Sequence, residues 1–257
     1  MNEKVSENKV IQAVAQGSVE NARTSFESNF SIKDLFDNLL HYGHKVEFKN
    51  PKMSEFIFQE KDKIAIIDLV QTKHYLQIAL FEAYKLSKRN ARIVFVGTKP
   101  SISKCVKQHA LSCGQYYVNN RWLGGTLTNW DTISGLLLRL DRLEKTVKND
   151  SLKYTKKEVL KMTKEIQDLE RTVGGLKGMR NRPDAIIVVD ANYSKMPLKE
   201  ASDIGIKTFA VVDTNSDPEG IHYIIPANDD SIKSVDFILG LFSKAILQGI
   251  KDSVIKG

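Results

Sequence analysis

What this chain has little of narrows it first. It carries two cysteines in 257 residues, Cys105 and Cys113, eight positions apart in a stretch patterned as helix. A helix rises about 12 Å over that spacing, too far for a disulfide, so both read as reduced thiols in a reducing compartment. Neither stands in a Cys/His spacing that holds zinc. No run of about 18 apolar residues occurs, so no membrane-crossing helix is expected, and the N-terminus has no apolar core of a secretion signal. The dinucleotide fingerprint G-x-G-x-x-G and the P-loop G-x-x-x-x-G-K-[ST] are both missing. No Ser/His/Asp or Cys/His set can be assembled for nucleophilic catalysis. Together these absences predict a protein that is not an enzyme and carries no cofactor.

What is present is ordinary in bulk and uneven in charge. Hydrophobic residues make up 42% and charged residues 27%, as in soluble globular proteins. The net charge is +7. Residues 183–257 hold 7 Lys+Arg against 11 Asp+Glu, and the remaining 182 residues hold 31 against 20. A basic portion suited to a polyanion is thus joined to an acidic C-terminal portion.

The elements alternate. Residues 1–30 carry Asn, Ser, Glu and Gln without a sustained apolar period and read as a flexible extension, with a short bound-state helix at 9–15. Ser31 can cap a helix from Ile32 to about His41, with Ile32, Leu35, Phe36, Leu39 and Leu40 on its apolar face and Gly43 as its stop. Two short strands follow, around Phe56 to Phe58 and Ile64 to Ile67, and then a helix from about Gln71 to Ser87. Ile93 to Val96 is a continuous apolar run, typical of a strand buried on both faces of a parallel sheet. Helix to Cys113, strand at Tyr116 to Val118, strands at Ala185 to Val189 and Thr208 to Val212, a helix near Pro197 to Asp203, a short strand at Ile221 to Ile225 and a closing helix from Ser231 to Gln248 complete the pattern. It predicts an α/β fold: a doubly wound, mainly parallel sheet of the Rossmann or flavodoxin-like type, formed by residues 31–130 and 174–257.

Residues 131–173 interrupt it. Leu136, Leu140, Leu143 and Val147 step by four, three and four, and Val159, Met162, Ile166, Leu169 and Val173 continue in the same way. Each is a coiled-coil seam, and the polar turn Lys148 to Tyr154 predicts an inserted antiparallel helical hairpin.

The stretch Gln115 to Trp130, QYYVNNRWLGGTLTNW, is the densest in recognition chemistry. A strand breaks into Asn119, Asn120, Arg121 and Trp122, then into Gly124 and Gly125, and Thr126, Thr128 and Asn129 offer cap-type side chains before the next helix. Trp122 reads as core in preference to a stacking platform. Asp190 and Asp213 close strands and read as caps of the following turns. Asp229 and Asp230 suit the N-terminal region of the closing helix, and His41 and His44 read as packing imidazoles rather than metal ligands.

The run NNRWLGGTLTN resembles the signature of the small-subunit ribosomal protein of the second family, in its bacterial and organellar form. The resemblance recurs at His41-Tyr42-Gly43-His44, Asn50-Pro51-Lys52-Met53, IAIIDLVQT from Ile64, FVGTK from Phe95, Arg182-Pro183-Asp184, Val212-Asp213-Thr214-Asn215 and Pro226 to Asp230. It covers roughly residues 31 to 250. It implies a structural constituent of the small ribosomal subunit that binds small-subunit rRNA and neighbouring proteins, among them the first, mRNA-binding protein, with no membrane and no homo-oligomer. Ribosomal RNA is held mainly through phosphates and shape, which need Lys, Arg and amide donors. The candidates are Lys45, Lys49 and Lys52; Lys99, Asn119, Asn120 and Arg121; and Lys177, Arg180 and Arg182 in GGLKGMRNRP. Lys153, Lys156, Lys157, Lys161 and Lys164 form either a phosphate-facing stripe or a solvated face. Two departures stand out. Glu47 sits where the family carries arginines and a tryptophan, and Pro226-Ala227-Asn228 replaces Pro-Gly-Asn, implying a turn that tolerates a side chain. The departures and the N-terminal segment favour a ribosome of the mitochondrial matrix over one of a bacterial cytoplasm. Glutamates near the N-terminus oppose a cleavable transit peptide, which predicts synthesis inside the organelle. The competing reading is a free nucleotide- or ligand-binding α/β protein.

Overall fold

The computed structural model describes residues 30–149 and 153–254. The extension, apart from Phe30, the helix expected at 9–15 and the middle of the turn between the hairpin helices lie outside the described residues. Among those described, no helix is long and apolar enough to cross a membrane.

The first helix, α1 (Ile32–Asp37), starts on a reciprocal cap. The Ser31 side chain accepts from the Asp34 amide and the Asp34 carboxylate accepts from the Ser31 amide at 2.7 Å. It stops at Asp37, short of the expected His41, because Leu39 takes a φ of 64° and turns the chain. Of the expected apolar face, Leu35 and Leu40 are buried while Ile32 and Phe36 are exposed. Gly43 does not end the helix. It lies inside a strand, β1 (Tyr42–Lys45), where a Cβ would come 2.5 Å from Thr214 Cγ2 and 2.8 Å from the Ala65 carbonyl. Only a residue without a side chain lets β1 pass that close.

Strand β1 pairs antiparallel with β3 (Ile64–Ile67), which pairs with β2 (Ile57–Lys61), giving a separate three-stranded sheet of order β1-β3-β2. The two short strands were expected, but the third partner and the separate sheet were not. His-Tyr-Gly-His-Lys has no alternation to announce it. Next, α2 (Leu69–Lys88) starts at Asp68, whose side chain accepts from the Val70 amide.

The principal sheet is fully parallel, with five strands in the order β5-β4-β6-β7-β8. They are β4 (Ile93–Val96), β5 (Tyr116–Val118), β6 (Ala185–Val188), β7 (Lys207–Val212) and β8 (Tyr223–Pro226). All four residues of β4 and of β6 are buried, as a central parallel strand requires. Alternate side chains feed two cores. Ile93, Phe95, Ile187, Phe209 and Val211 pack under α2, α3 (Ser103–Ser112) and the closing helix. Val94, Val96, Ile186, Val188, Ala210 and Val212 face the other side, with Trp130, Ile133, Leu137 and Leu176. The fold is therefore the doubly wound α/β sheet expected. Arg92 fixes the start of β4 to β6 through two side-chain bonds to Asp184, at 3.0 and 3.1 Å.

Two long helices, α4 (Trp130–Asn149) and α5 (Lys156–Val173), lie side by side on that second face. Thr155 and Glu158 form a second reciprocal cap. Arg139 pairs with Glu165 at 2.5 Å across the two helices, and Leu140 and Val173 of the expected seam are buried. Gly175, just past α5, touches β5 so closely that a Cβ would fall 2.0 Å from the Tyr117 carbonyl oxygen. Helix α6 (Lys195–Asp203) and the closing helix α7 (Ile232–Val254) complete the chain.

Candidate nucleic-acid interface

The loop after β5 is held by a residue far away in sequence. Glu200, on α6 and buried at 7% exposure, sends both carboxylate oxygens into it. Oε1 accepts from the Trp122 indole at 3.0 Å and the Gly125 amide at 2.9 Å, and Oε2 accepts from the Leu127 amide at 2.8 Å and the Thr128 amide at 3.3 Å. Burial alone would raise the Glu200 carboxyl. The donors at Leu127, Trp122, Gly125 and Thr128 outweigh burial and hold it below its ordinary value. Trp122 is thereby fixed against the core.

This loop meets the root of the hairpin. The Asn120 amide donates to the Arg171 carbonyl at 3.0 Å, the Trp130 indole to the Arg180 carbonyl at 3.4 Å, and Arg182 Nη2 reaches the Thr128 carbonyl at 3.5 Å. Arg121, Lys177, Arg180 and Arg182 are all exposed around that junction. Lys177 is paired with Glu144, 2.6 Å from Oε2. Asn119 turns inward and donates to Ser103 Oγ at 3.0 Å, so its amide holds β5 to α3. The lysines Lys153, Lys156, Lys157, Lys161 and Lys164 are exposed along the start of α5 and the residues before it.

The other candidates lie beside carboxylates. Lys49 pairs with Glu60 at 2.8 Å and Lys52 with Asp217 at 2.9 Å and with Glu219. Lys99 bridges Asp230 and, at 3.6 Å, Asp190. Lys45 is exposed at the end of β1, and Glu47 is exposed on the turn that follows.

Parallel register explains that second grouping, because the residues after each strand share one edge of the sheet. Lys99, Asp190, Asp213, Asp229 and Asp230 follow β4, β6, β7 and β8 there, and His44 reaches in from β1. His44 Nδ1 lies 3.1 Å from Asp213 and its Nε2 3.2 Å from Asp230. Asp213 raises the His44 imidazole to about 9 against burial, helped by the charges of Asp230 and Asp229. Asp229 is buried, with Oδ2 unpaired among the described residues, and burial followed by its acidic neighbours pushes its carboxyl well above the usual range. His44, Asp229 and Asp230 bring ligand atoms within 4.8 Å of one another, and His41 takes no part. Asp190 caps its turn, accepting from the Tyr193 amide, whereas Asp213 accepts from the amide of its immediate neighbour Thr214 and, at 3.4 Å, from the Asp229 amide, so it ties the end of β7 to the turn after β8. The start of α7 is governed by Asn228, whose Oδ1 accepts from the Asp230 and Ser231 amides, rather than by Asp229 and Asp230. Ala227 is fully buried at a negative φ, so the turn accepts its side chain. His44 and Lys99 already engage the carboxylates at the edge where doubly wound sheets take nucleotides, and no glycine-rich phosphate loop lines it, which disfavours a nucleotide-binding protein.

A family model for ribosomal protein S2 matches residues 35–249. The chain belongs to that family. Its relatives include small ribosomal subunit protein uS2 of Buchnera aphidicola subsp. Baizongia pistaciae, 46% identical over 223 residues, which are 86% of this chain and 98% of the relative. The same protein of Wigglesworthia glossinidia brevipalpis is 44% identical over 228 residues, 88% and 93% of the two chains. That of Rickettsia felis is 42% identical over 226 residues, 87% and 77%. An S2 protein is a structural component rather than a catalyst, and both surfaces described above lie within the matched span. Glu200 was missed in the sequence, since a lone glutamate in a helix carries no signal of a loop it binds 73 positions away.

Proposed function

We infer that this chain is a structural constituent of the small ribosomal subunit and that it holds rRNA through the junction of the β5 loop with the hairpin root. The observation that carries the reading is the convergence of exposed Arg121, Lys177, Arg180 and Arg182 on one surface, in a chain of the S2 family. Arginine and lysine side chains there neutralise phosphates, and the Glu200-braced backbone keeps them in place. Lys45, Lys49, Lys52, Lys99 and Asn120 are further contacts, with Lys49, Lys52 and Lys99 exchanging a carboxylate for a phosphate on docking. Helices α4 and α5, with their heptad seam, act as an inserted coiled-coil arm against neighbouring proteins.

The departures from the family pattern and the N-terminal segment support the mitochondrial matrix as the compartment. The bacterial relatives support a bacterial cytoplasm instead. Sucrose-gradient sedimentation tests the role and the compartment together. The expected result is about one copy per small subunit, in the small-subunit and monosome peaks of one of the two sources, at low and moderate salt. Recovery only in the free-protein fractions at both salts would overturn the reading.

A further inference from the structure

A different constellation lies away from the RNA candidates, between α3 and α7. Cys105 and His109 stand four apart on α3 and so share one helix face. Asp236, in the second turn of α7, points its Oδ1 at both, 2.8 Å from His109 Nε2 and 3.5 Å from Cys105 Sγ. One sulfur, one nitrogen and one oxygen ligand atom therefore converge, all within 4.8 Å of one another. The His109 backbone is held as well, its carbonyl accepting from Ser243 Oγ at 3.0 Å. Gly240, one turn on from Asp236, lies alongside the imidazole, where a Cβ would sit in van der Waals contact with His109 Cε1 at 3.5 Å.

We propose that Cys105, His109 and Asp236 form a binding site for a divalent transition metal, zinc by donor chemistry, which pins α3 to α7. Zinc takes thiolate at about 2.3 Å and imidazole and carboxylate at about 2.0–2.2 Å. A tetrahedral ion therefore needs its ligand atoms roughly 3.3–3.7 Å apart. The sulfur–oxygen distance already meets this. The nitrogen–oxygen distance needs a small swing of the Asp236 side chain, which is 61% exposed, and the sulfur and nitrogen, within 4.8 Å of each other on one helix face, close on the ion through their own side-chain torsions. Mixed sulfur, nitrogen and oxygen donors select zinc or cobalt over magnesium or calcium, which prefer oxygen alone. The fourth position faces solvent beside Asp236 and takes water. On uptake the thiol proton leaves to solvent as the metal–sulfur bond forms, so one proton is released per ion bound. A nucleophilic role for the same cysteine is opposed by its surroundings: burial first, then Asp236, push the thiol up to about 12, where an activated cysteine is pulled down. The sequence hides the site because its third ligand follows His109 by 127 positions.

Cobalt(II) titration of the purified full-length chain, stripped with chelator and kept reduced, tests this. Cobalt bound by a thiolate gives a near-ultraviolet charge-transfer band that carboxylate and imidazole ligands alone do not. The band should saturate at one equivalent, fade on adding zinc, vanish in Cys105→Ser and weaken at least tenfold in apparent affinity in Asp236→Asn, an exposed change that leaves the core intact. It should survive in Cys113→Ser, which removes the other thiol, and in Asp229→Asn, which removes a ligand of the His44 cluster. A wild-type chain with no thiolate band at stoichiometric cobalt, or a band that persists in Cys105→Ser, would overturn the proposal.

Discussion

At the scale of single residues, the buried Glu200 and the half-buried His44 set opposite pH limits. Glu200 is a carboxyl held below its ordinary 4.5 by four donors. Its contribution is complete above 4.5 and is lost as pH falls through the lower folded value. Replacing it with alanine leaves the Leu127 amide buried and unpaired and should lower stability by about 3 kcal/mol. Glu200→Gln should flatten the acid limb of urea midpoint against pH, and an unchanged limb would show that another carboxylate sets it. His44 works the other way. Its imidazole is raised from 6.5 to about 9, so the stability it lends is complete below 6.5 and drains away as pH climbs through about 9. With chelator present, the wild-type midpoint should fall more steeply across that range than the His44→Ala midpoint does.

At the scale of elements, the strands and helices of the principal sheet were legible because each has its own period or apolar run. Ile93 to Val96 is such a run, and all four of its residues are buried. Strand β1 and the separate sheet were not legible, because Tyr42–Lys45 is specified by what it lies on. Gly43 fits only over Thr214, a residue 171 positions away that no local pattern reveals. The same reason hid Glu200 and the carboxylate partners of Lys49, Lys52 and Lys99. The candidate site was legible as a list of basic residues and not as a surface. Glycines on the same face of the sheet should respond in contrasting ways. Gly175→Ala drives a methyl into the Tyr117 carbonyl and should destabilise by about 2–3 kcal/mol. Gly135→Ala, in mid-α4 with nothing within 4 Å, should stabilise by about 0.5–1 kcal/mol through the unfolded chain and helix propensity. Thermal midpoints of the two variants, moving in opposite directions, would check both.

At the scale of the whole molecule, charge separates along the sequence and again in space. The acidic C-terminal portion supplies the carboxylates at the sheet edge, while Arg121, Lys177, Arg180 and Arg182 gather at the hairpin root. Replacing Lys177, Arg180 and Arg182 together with alanine should weaken incorporation into subunits and reduce the slope of log affinity against log salt by about one unit for each phosphate no longer neutralised. Reconstitution at stepped salt measures it, and an unchanged slope would mean that neighbouring proteins alone hold the chain. The small sheet has one further consequence. Asn228 donates to the Leu39 and Leu40 carbonyls, Asn50 donates to the Thr214 carbonyl, and the His44 amide donates to Thr214 Oγ1. During translation the nascent chain must therefore extend past Asn228 before its early segment finds all of these partners. A stalled or truncated product would expose that early segment to proteases and chaperones, so the first part of the fold to be made is among the last to close.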